Sequence, residues 1–217
     1  ISDLGGPTAN LYGASCSKKG CRRHDCLFPR VCPQLRIDEA AFLALLAEAS
    51  SLPRVKHLFI SSGLRMDLLL KTPRLLERLL ANHTPGTLKI APEHAAPGVL
   101  RLMHKPGPEV LARFVERCRE VARQQNRPVH LQPYFIAAHP GCTLRDMEAL
   151  AREVRRLGLA VRQFQDFTPT PGTLATAMYV TGLDRDTQKP IQVARGAKER
   201  RAQRQILEGL APRRARR

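Results

Sequence analysis

The chain has 217 residues, a formal net charge of +17 and 43% hydrophobic residues. This length allows one sizeable domain, or one and a half, with ample length to bury a hydrophobic core. No run of about eighteen apolar residues could span a bilayer, and the first residues lack the charged-then-apolar pattern of a signal peptide. We therefore expect a soluble, cytoplasmic protein.

The positive charge is concentrated in two segments. Residues 16–36 carry six Lys/Arg against one Asp, and residues 195–217 carry nine Lys/Arg against two Glu, which together give +12 of the +17. Such patches attract nucleic acid or another polyanion, although a solvated basic helix with a frayed tail explains the second segment equally well. With no Trp and three Tyr, the sequence offers no stacking platform for single-stranded nucleic acid.

Strand-like and helix-like segments alternate along the chain. Apolar runs predict strands and a helical spacing of apolar residues predicts helices. The strands are expected at 1–4, 55–61, 87–91, 130–137 and 161–167, the helices at 39–50, 73–82, 108–125 and 144–157, and a basic helix with a disordered end at 194–217. This alternation predicts an α/β fold with a parallel sheet or barrel.

The segments that follow the predicted strands are rich in Gly, Pro, hydroxyl and ionisable residues. Parallel strands end on the same face, so these loops should converge there. Arg65, Glu93, His94 and His139 stand in them and indicate an active face, where Gly and Pro alone would be ordinary loop residues. Cys142 lies in the same kind of loop, either as a reactive thiol or as a cysteine without function.

Four cysteines lie in one short, turn-rich segment: Cys16, Cys21, Cys26 and Cys32. Four, four and five residues separate them. Four thiolates on irregular backbone can enclose Zn²⁺ or a four-iron cluster. The spacing matches neither common zinc ribbons nor bacterial ferredoxins, so zinc, an iron–sulfur cluster and metal-free cysteines all remain open. His24 could replace one cysteine, although a His among Arg and Lys is usually a surface residue.

Six motifs in order resemble the YgiQ family of radical SAM proteins (UPF0313). They are ISDLGGPTAN at 1–10, CLFPRVC at 26–32, ISSGLR at 60–65, LKIAPEH at 88–94, PYFIAAHPG at 133–141 and QDFTPTP at 165–171. The resemblance implies a partial TIM-type (β/α) radical SAM barrel. Residues 1–193 would be its C-terminal part, with a cysteine-rich insertion at 15–36, and residues 194–217 a basic helix and tail.

The resemblance also implies the chemistry. In such barrels the strand-end loops hold S-adenosylmethionine (SAM) against a [4Fe-4S] cluster, and an electron from flavodoxin or ferredoxin yields a 5′-deoxyadenosyl radical that acts on a substrate, here unknown. The cluster is bound by a C-x₃-C-x₂-C motif that this sequence does not contain. Because the chain begins at Ile1 and its first methionine is Met66, we expect a piece of a longer protein, inactive alone, with that motif upstream.

The family's functional positions can be carried over residue by residue. Those implied to bind SAM lie at a glycine turn or on strands: Gly5, Gly6, Ser62, Lys89 and Glu93. Pro7 stands where many relatives have an acidic residue, so contact with the SAM amino group would be through the backbone. His139 and Thr168 are substrate-side candidates, and the cysteine quartet is a candidate auxiliary iron–sulfur or zinc site.

The sequence also allows one function that is not enzymatic. The chain could be a non-catalytic metal-binding module, with zinc or iron–sulfur in the cysteine quartet, that docks on RNA through its two basic segments. The charge distribution and the quartet support this alternative.

Overall fold

The computed structural model describes residues 1–4, 11–22 and 25–212. Gly5, Gly6, Pro7 and His24, which carry sequence predictions, lie outside these ranges. The chain divides into two compact units, Ile1–Ala91 with Val110–Leu131 and Pro92–Glu109 with Gln132–Arg217.

Helices and strands alternate through most of the described chain. The helices are α1 (Glu39–Ser51), α2 (Met66–Leu69), α3 (Pro73–Asn82), α4 (Pro97–Leu102), α5 (Pro108–Gln124), α6 (Leu144–Arg156), α7 (Leu174–Thr181) and α8 (Ala197–Glu208). The strands are β1 (Thr87–Glu93), β2 (His130–Ala137) and β3 (Gln163–Asp166), ordered β1-β2-β3 in one sheet. The predicted α/β class is confirmed. Within the described residues, the sheet has three strands.

The first unit is built around helices α1, α2 and α3. α1 is capped by Asp38, whose carboxylate accepts a hydrogen bond from the Ala41 N–H at 2.8 Å. The Glu39 carboxylate accepts from the Leu75 N–H of α3 at 2.9 Å, and α1 and α2 both pack on α3. The unit's buried apolar side chains include Phe42, Leu46, Leu58, Ile60, Leu68, Leu75, Leu79 and Phe114.

The strands predicted at 1–4 and 55–61 are extended segments rather than regular strands. The Leu4 N–H donates to the Phe59 carbonyl at 2.9 Å, and the Phe59 N–H donates to the Ile1 carbonyl at 3.0 Å. Leu64 then forms an isolated parallel bridge with Ile90. Because so few backbone hydrogen bonds join these segments, no regular ladder forms, and the prediction of strands there was wrong.

The second unit carries helices on one face of its strands. β2 pairs with β3 in parallel, with Tyr134 beside Gln163 and Ile136 beside Gln165. α6 begins with a capping box, in which the Asp146 carboxylate accepts from the Thr143 N–H at 2.9 Å. α6 and α8 pack together, and the apolar core of this unit includes Phe135, Ala137, Met147, Leu150, Val154 and Leu207.

The opposite face of these strands is polar and partly open. Along β2, Pro133, Phe135 and Ala137 are buried, whereas the alternate residues Gln132, Tyr134 and Ile136 are half-buried. On β3 the neighbours on that face, Gln163 and Gln165, are exposed. A parallel sheet covered on both faces is usually apolar on both. We call Gln132, Tyr134, Ile136, Gln163 and Gln165 the open sheet face.

Candidate functional site

Glu93, the last residue of β1, is held in an unusual backbone conformation. Its φ is +61°, a value that glycine adopts readily and other residues rarely, and the His94 N–H donates to the Pro92 carbonyl at 2.8 Å across it. Such strained conformations cluster at functional sites. The Glu93 Oε1 lies 2.9 Å from the Lys105 Nζ, and both side chains are largely shielded from solvent, at 24% and 18% exposure.

The exit of β2 repeats this geometry. Ala138 follows the strand with φ +58°, and its N–H donates to the Oε1 of the buried Gln203 at 2.9 Å. The Gln203 Nε2 donates to the Cys142 carbonyl at 3.0 Å. One carboxamide of α8 therefore fixes both ends of the loop that carries His139.

His139 is a buried neutral imidazole. Its Nδ1 lies 2.8 Å from the Pro140 carbonyl, and because a carbonyl only accepts hydrogen bonds, Nδ1 carries the proton and Nε2 is left as an acceptor. Burial lowers the pKa of His139, although the Pro140 carbonyl and the charge of Glu93 both oppose that shift. The ring packs edge-on against Phe167, with centroids 5.4 Å apart.

Tyr134 completes this group of side chains. Burial, followed by the negative charge of Glu93, raises the pKa of the Tyr134 hydroxyl, so the hydroxyl stays protonated and can donate. Glu93 is thus within electrostatic reach of both Tyr134 and His139. We call Glu93, Lys105, Tyr134 and His139 the strand-end cluster.

Sequence reasoning found Glu93 and His139 but missed Lys105 and Tyr134. Tyr134 lies in the strand that was correctly predicted at 130–137, at a position that alternates with the buried residues. A phenol at such a position could have marked Tyr134 as a candidate from the sequence. Lys105 lies in the turn after α4, twelve residues beyond Glu93, and nothing in its spacing indicates the contact.

His94 and Cys142, in the same loops, belong to the core. The His94 Nδ1 accepts from the Ala96 N–H at 2.9 Å, so the neutral ring carries its proton on Nε2, which lies 3.4 Å from both the Cys142 Sγ and the Met147 Sδ. A metal on Nε2 would require an imidazolate, which argues against a site here. Burial lowers the pKa of His94 to about 4.

The Cys142 thiol is not activated. Burial, with the charge of Asp146, raises its pKa, and a thiol rather than a thiolate is a poor nucleophile. Cys118 is likewise buried in α5, where burial raises its pKa to about 12, as expected for a small hydrophobic residue in a helix. Of the two interpretations of Cys142, a cysteine without function fits the structure better than a reactive thiol.

Ser62 and Lys89, predicted to contact SAM, surround Asp3 in the first unit. The Ser62 Oγ donates to the Asp3 Oδ2 at 2.5 Å, and the Ser61 N–H donates to Oδ1 at 2.8 Å. Burial disfavours the charged carboxylate, but these hydrogen bonds, with the charge of Lys89, outweigh it and lower the pKa of Asp3. Because the Ser62 hydroxyl proton is already engaged, only its lone pairs remain for a ligand.

Thr168 lies exposed after β3. Its hydroxyl donates weakly to the Asp166 carbonyl, at 3.3 Å. The role of Thr168 toward a substrate, like the SAM-binding roles of Ser62 and Lys89, stays a prediction.

The four cysteines do not form a ligand set. Cys16 and Cys21 are exposed, Cys26 is half-buried and Cys32 is buried. Within the described ranges, no three His, Cys, Asp or Glu residues lie close enough to hold a metal ion. The structure therefore does not bring the four thiols together, and the metal site at the quartet stays a prediction from the spacing.

No helix in the described part of the chain is both long and apolar enough to cross a membrane.

Comparison with solved structures gives a weak likeness. Coproporphyrinogen III oxidase (HemN) from Escherichia coli, described as a radical SAM enzyme, is 14% identical with a TM-score of 0.47, over 76% of this chain and 34% of that one. This likeness is too low to support a conclusion about fold or function.

Comparison with known sequences gives a strong likeness. The chain is 44% identical over 211 residues to a UPF0313 protein of Geobacter sulfurreducens, 43% over 216 residues to one of Methanocella arvoryzae and 44% over 206 residues to one of Thermotoga neapolitana. These alignments cover 95%, 98% and 92% of this chain, and 35%, 36% and 36% of the relatives. The chain therefore spans about a third of their length.

The C-terminal part also matches a family model. Residues 162–212 match one described as a domain of unknown function, DUF3362. Together with the sequence relatives, which carry the UPF0313 designation, this confirms the family recognised from the six motifs: the chain belongs to the UPF0313 protein family.

Proposed function

We propose that this chain supplies SAM-binding and substrate-binding strand ends to a radical SAM enzyme. The observation that carries the proposal is the strand-end cluster, in which a carboxylate at the end of a parallel strand is held by a lysine beside a phenol and a neutral imidazole. Ligands of α/β folds bind at the carboxyl ends of the strands. The six motifs that resemble the radical SAM family support the same function.

The residues present suit SAM in chemical character. The Glu93 carboxylate can accept hydrogen bonds from ribose hydroxyls or from the SAM amino group, and the Lys105 ammonium holds it in place. When bound, SAM would supply its 5′-deoxyadenosyl group, which can abstract hydrogen only after SAM has accepted one electron and released methionine. The described cysteines do not fit a [4Fe-4S] cluster, so we derive no step through one.

The remaining cluster residues can position a substrate. The His139 Nε2 can accept a hydrogen bond and the Tyr134 hydroxyl can donate one, since both groups are neutral near pH 7. Their partial burial strengthens such hydrogen bonds relative to those in water. The substrate, an electron donor such as flavodoxin or ferredoxin, and a cytoplasmic location belong to this proposal.

The metal-binding, RNA-docking alternative has less support. The net charge of +17 favours a polyanionic partner, but no metal-ligand set forms in the described ranges. We therefore retain nucleic acid as a partner class, and the metal site of this alternative stays a prediction from the cysteine spacing.

SAM binding by the chain tests the proposal. We expect Glu93→Gln to weaken SAM binding about tenfold, because a charge-assisted hydrogen bond contributes about 1.5–3 kcal/mol, and Lys105→Met to weaken it less. Isothermal titration calorimetry measures the affinities. Glu148→Gln, on the exposed face of α6, is the matched control and should bind as the unmodified chain does. Equal affinity of all four proteins would refute the role of Glu93.

A further inference from the structure

The loop that carries His139 has a backbone that needs support from its surroundings. Ala138 has φ +58° and Gly141 has φ +84°, and this conformation is unfavourable for a residue that carries a Cβ atom, such as Ala138. At Gly141 an added Cβ would collide with the Leu102 side chain, so only glycine fits there. A loop with such a conformation persists only where neighbouring groups hold it.

The groups that hold the loop come from the C-terminal part of the chain. The buried Gln203 carboxamide accepts from the Ala138 N–H at one end of the loop and donates to the Cys142 carbonyl at the other. In the middle of the loop, the Gly141 N–H donates to the Gln192 carbonyl at 2.6 Å. Only a carboxamide can accept at one atom and donate at the other in this way while staying neutral.

The side chain beside the His139 ring comes from the same part of the chain. Phe167, directly after β3, packs edge-on against the imidazole, and its N–H donates to the Ala137 carbonyl at 2.7 Å. The Phe167 carbonyl accepts from the Arg200 guanidinium of α8 at 3.1 Å. The supporting residues all lie in the range 162–212 that matches DUF3362: Phe167, Gln192, Arg200 and Gln203.

This support leaves one atom of His139 for a ligand. The Nδ1 proton is bound to the Pro140 carbonyl, and no described residue bonds the Nε2. In the described ranges, the Asp166 Oδ1 is the one side-chain oxygen or nitrogen that is sealed from solvent without a partner. The His139 Nε2 therefore remains accessible, with its lone pair held in one direction.

We propose that residues 162–212 position the substrate side of the site, with Gln203 as the positioning residue for His139. The inference rests on the proposed function, and it gives a role to a segment whose family model is described as a domain of unknown function. Gln203 acts through the loop rather than on a ligand. Side chains held in this way by supporting hydrogen bonds bind and orient a substrate more effectively than mobile ones.

The tautomer of His139 tests this inference. Long-range ¹H–¹⁵N NMR spectra of the labelled chain show which ring nitrogen carries the proton, and His139→Gln assigns the signals. We expect the Nδ1–H form in the unmodified chain at neutral pH. In Gln203→Leu the minor Nε2–H form should rise about fivefold or more, the factor by which one hydrogen bond changes an equilibrium. Equal tautomer populations in the two proteins would refute the inference.

Two further variants guard against a trivial result. Gln205→Leu, on the exposed side of α8, is the matched control and should leave the His139 signals unchanged. Arg200→Met removes the hydrogen bond to the Phe167 carbonyl at a half-buried position, and should shift the ring signals to a smaller extent. If Gln203→Leu does not fold, Arg200→Met decides, and unshifted His139 signals in it would overturn the inference.

The affinity for SAM separates a positioning role from general damage. Gln203→Leu should bind SAM within about twofold of the unmodified chain, because Gln203 shares no contact with Glu93 or Lys105. A loss of SAM affinity as large as that expected for Glu93→Gln would overturn the assignment to the substrate side. If the tautomer shifts but the unmodified chain does not bind SAM, the proposed function fails and the positioning role stands. If SAM binds and the tautomer does not shift, the inference fails alone.

Discussion

Acidification from about pH 6.5 toward pH 4 should destabilise this protein, because His94 is buried in its neutral form. Burial lowers the pKa of His94 to about 4 in the folded protein, against an ordinary value of 6.5 in the unfolded chain. Between these values the unfolded chain binds the extra proton and the folded one does not, so the free energy of unfolding falls as the pH drops from 6.5 toward 4. The full loss is about 3 kcal/mol.

The structural reason is the burial of an imidazole with no carboxylate in direct contact. The Nδ1 of His94 already accepts from the Ala96 N–H, and its Nε2 faces two sulfur atoms. A second proton would have to displace the Ala96 hydrogen bond. The charge of Asp146 favours protonation and that of His139 opposes it, but desolvation exceeds both.

Urea unfolding followed by far-UV circular dichroism measures this effect. The variant His94→Asn can keep an acceptor for the Ala96 N–H and has no titrating group. Its stability should therefore depend less on pH between about pH 7 and pH 4.5 than that of the unmodified chain. The same pH dependence in both proteins would show that His94 is not the group responsible.

Removal of the Asp184 carboxylate should cost about 1–3 kcal/mol of folding stability. Asp184 is 3% exposed, pairs with the Arg101 guanidinium of α4, and accepts from the Asp186 N–H at 2.8 Å. Loss of the carboxylate leaves the part-buried Asp186 N–H without its acceptor, whereas the Arg101 guanidinium, whose side chain is 42% exposed, can turn to water and so adds less. The hydrogen bond from Arg101 is also the main reason that the pKa of Asp184 is lowered.

Two variants separate the charge from the backbone hydrogen bonds. Asp184→Ala removes both, whereas Asp184→Asn keeps an oxygen for the Asp186 N–H and loses only the charge. We expect Ala to reduce the free energy of unfolding more than Asn, as measured by urea unfolding. Equal stability of the Ala variant and the unmodified chain would contradict a stabilising role for the Asp184–Arg101 ion pair.

Regular, amphipathic elements could be predicted from the sequence because their pattern extends over several turns or residues. The helix at 73–82 and the strand at 130–137 have the predicted bounds. α2 and α4 were missed because four and six residues are too few to show a periodicity. α7 was missed because its Leu-Ala-Thr-Ala-Met-Tyr-Val-Thr sequence has no polar face.

The candidate site could be predicted only in part. Glu93 and His139 were marked by their position after apolar runs. The positive φ of Glu93 and Ala138 could not be expected, since nothing in a sequence without glycine at those positions indicates it. The Glu93–Lys105 ion pair depends on how the turn after α4 folds back, which is a tertiary contact rather than a local pattern.

The most direct test of the central claim is SAM cleavage by the whole protein that contains this chain. Purified without oxygen, supplied with iron and sulfide, and reduced, it should convert SAM into methionine and 5′-deoxyadenosine, as measured by chromatography. Glu93→Gln should lower the initial rate about tenfold and Glu148→Gln should not. Absence of 5′-deoxyadenosine from a protein with a spectroscopically verified, reduced cluster would contradict the proposed radical SAM function.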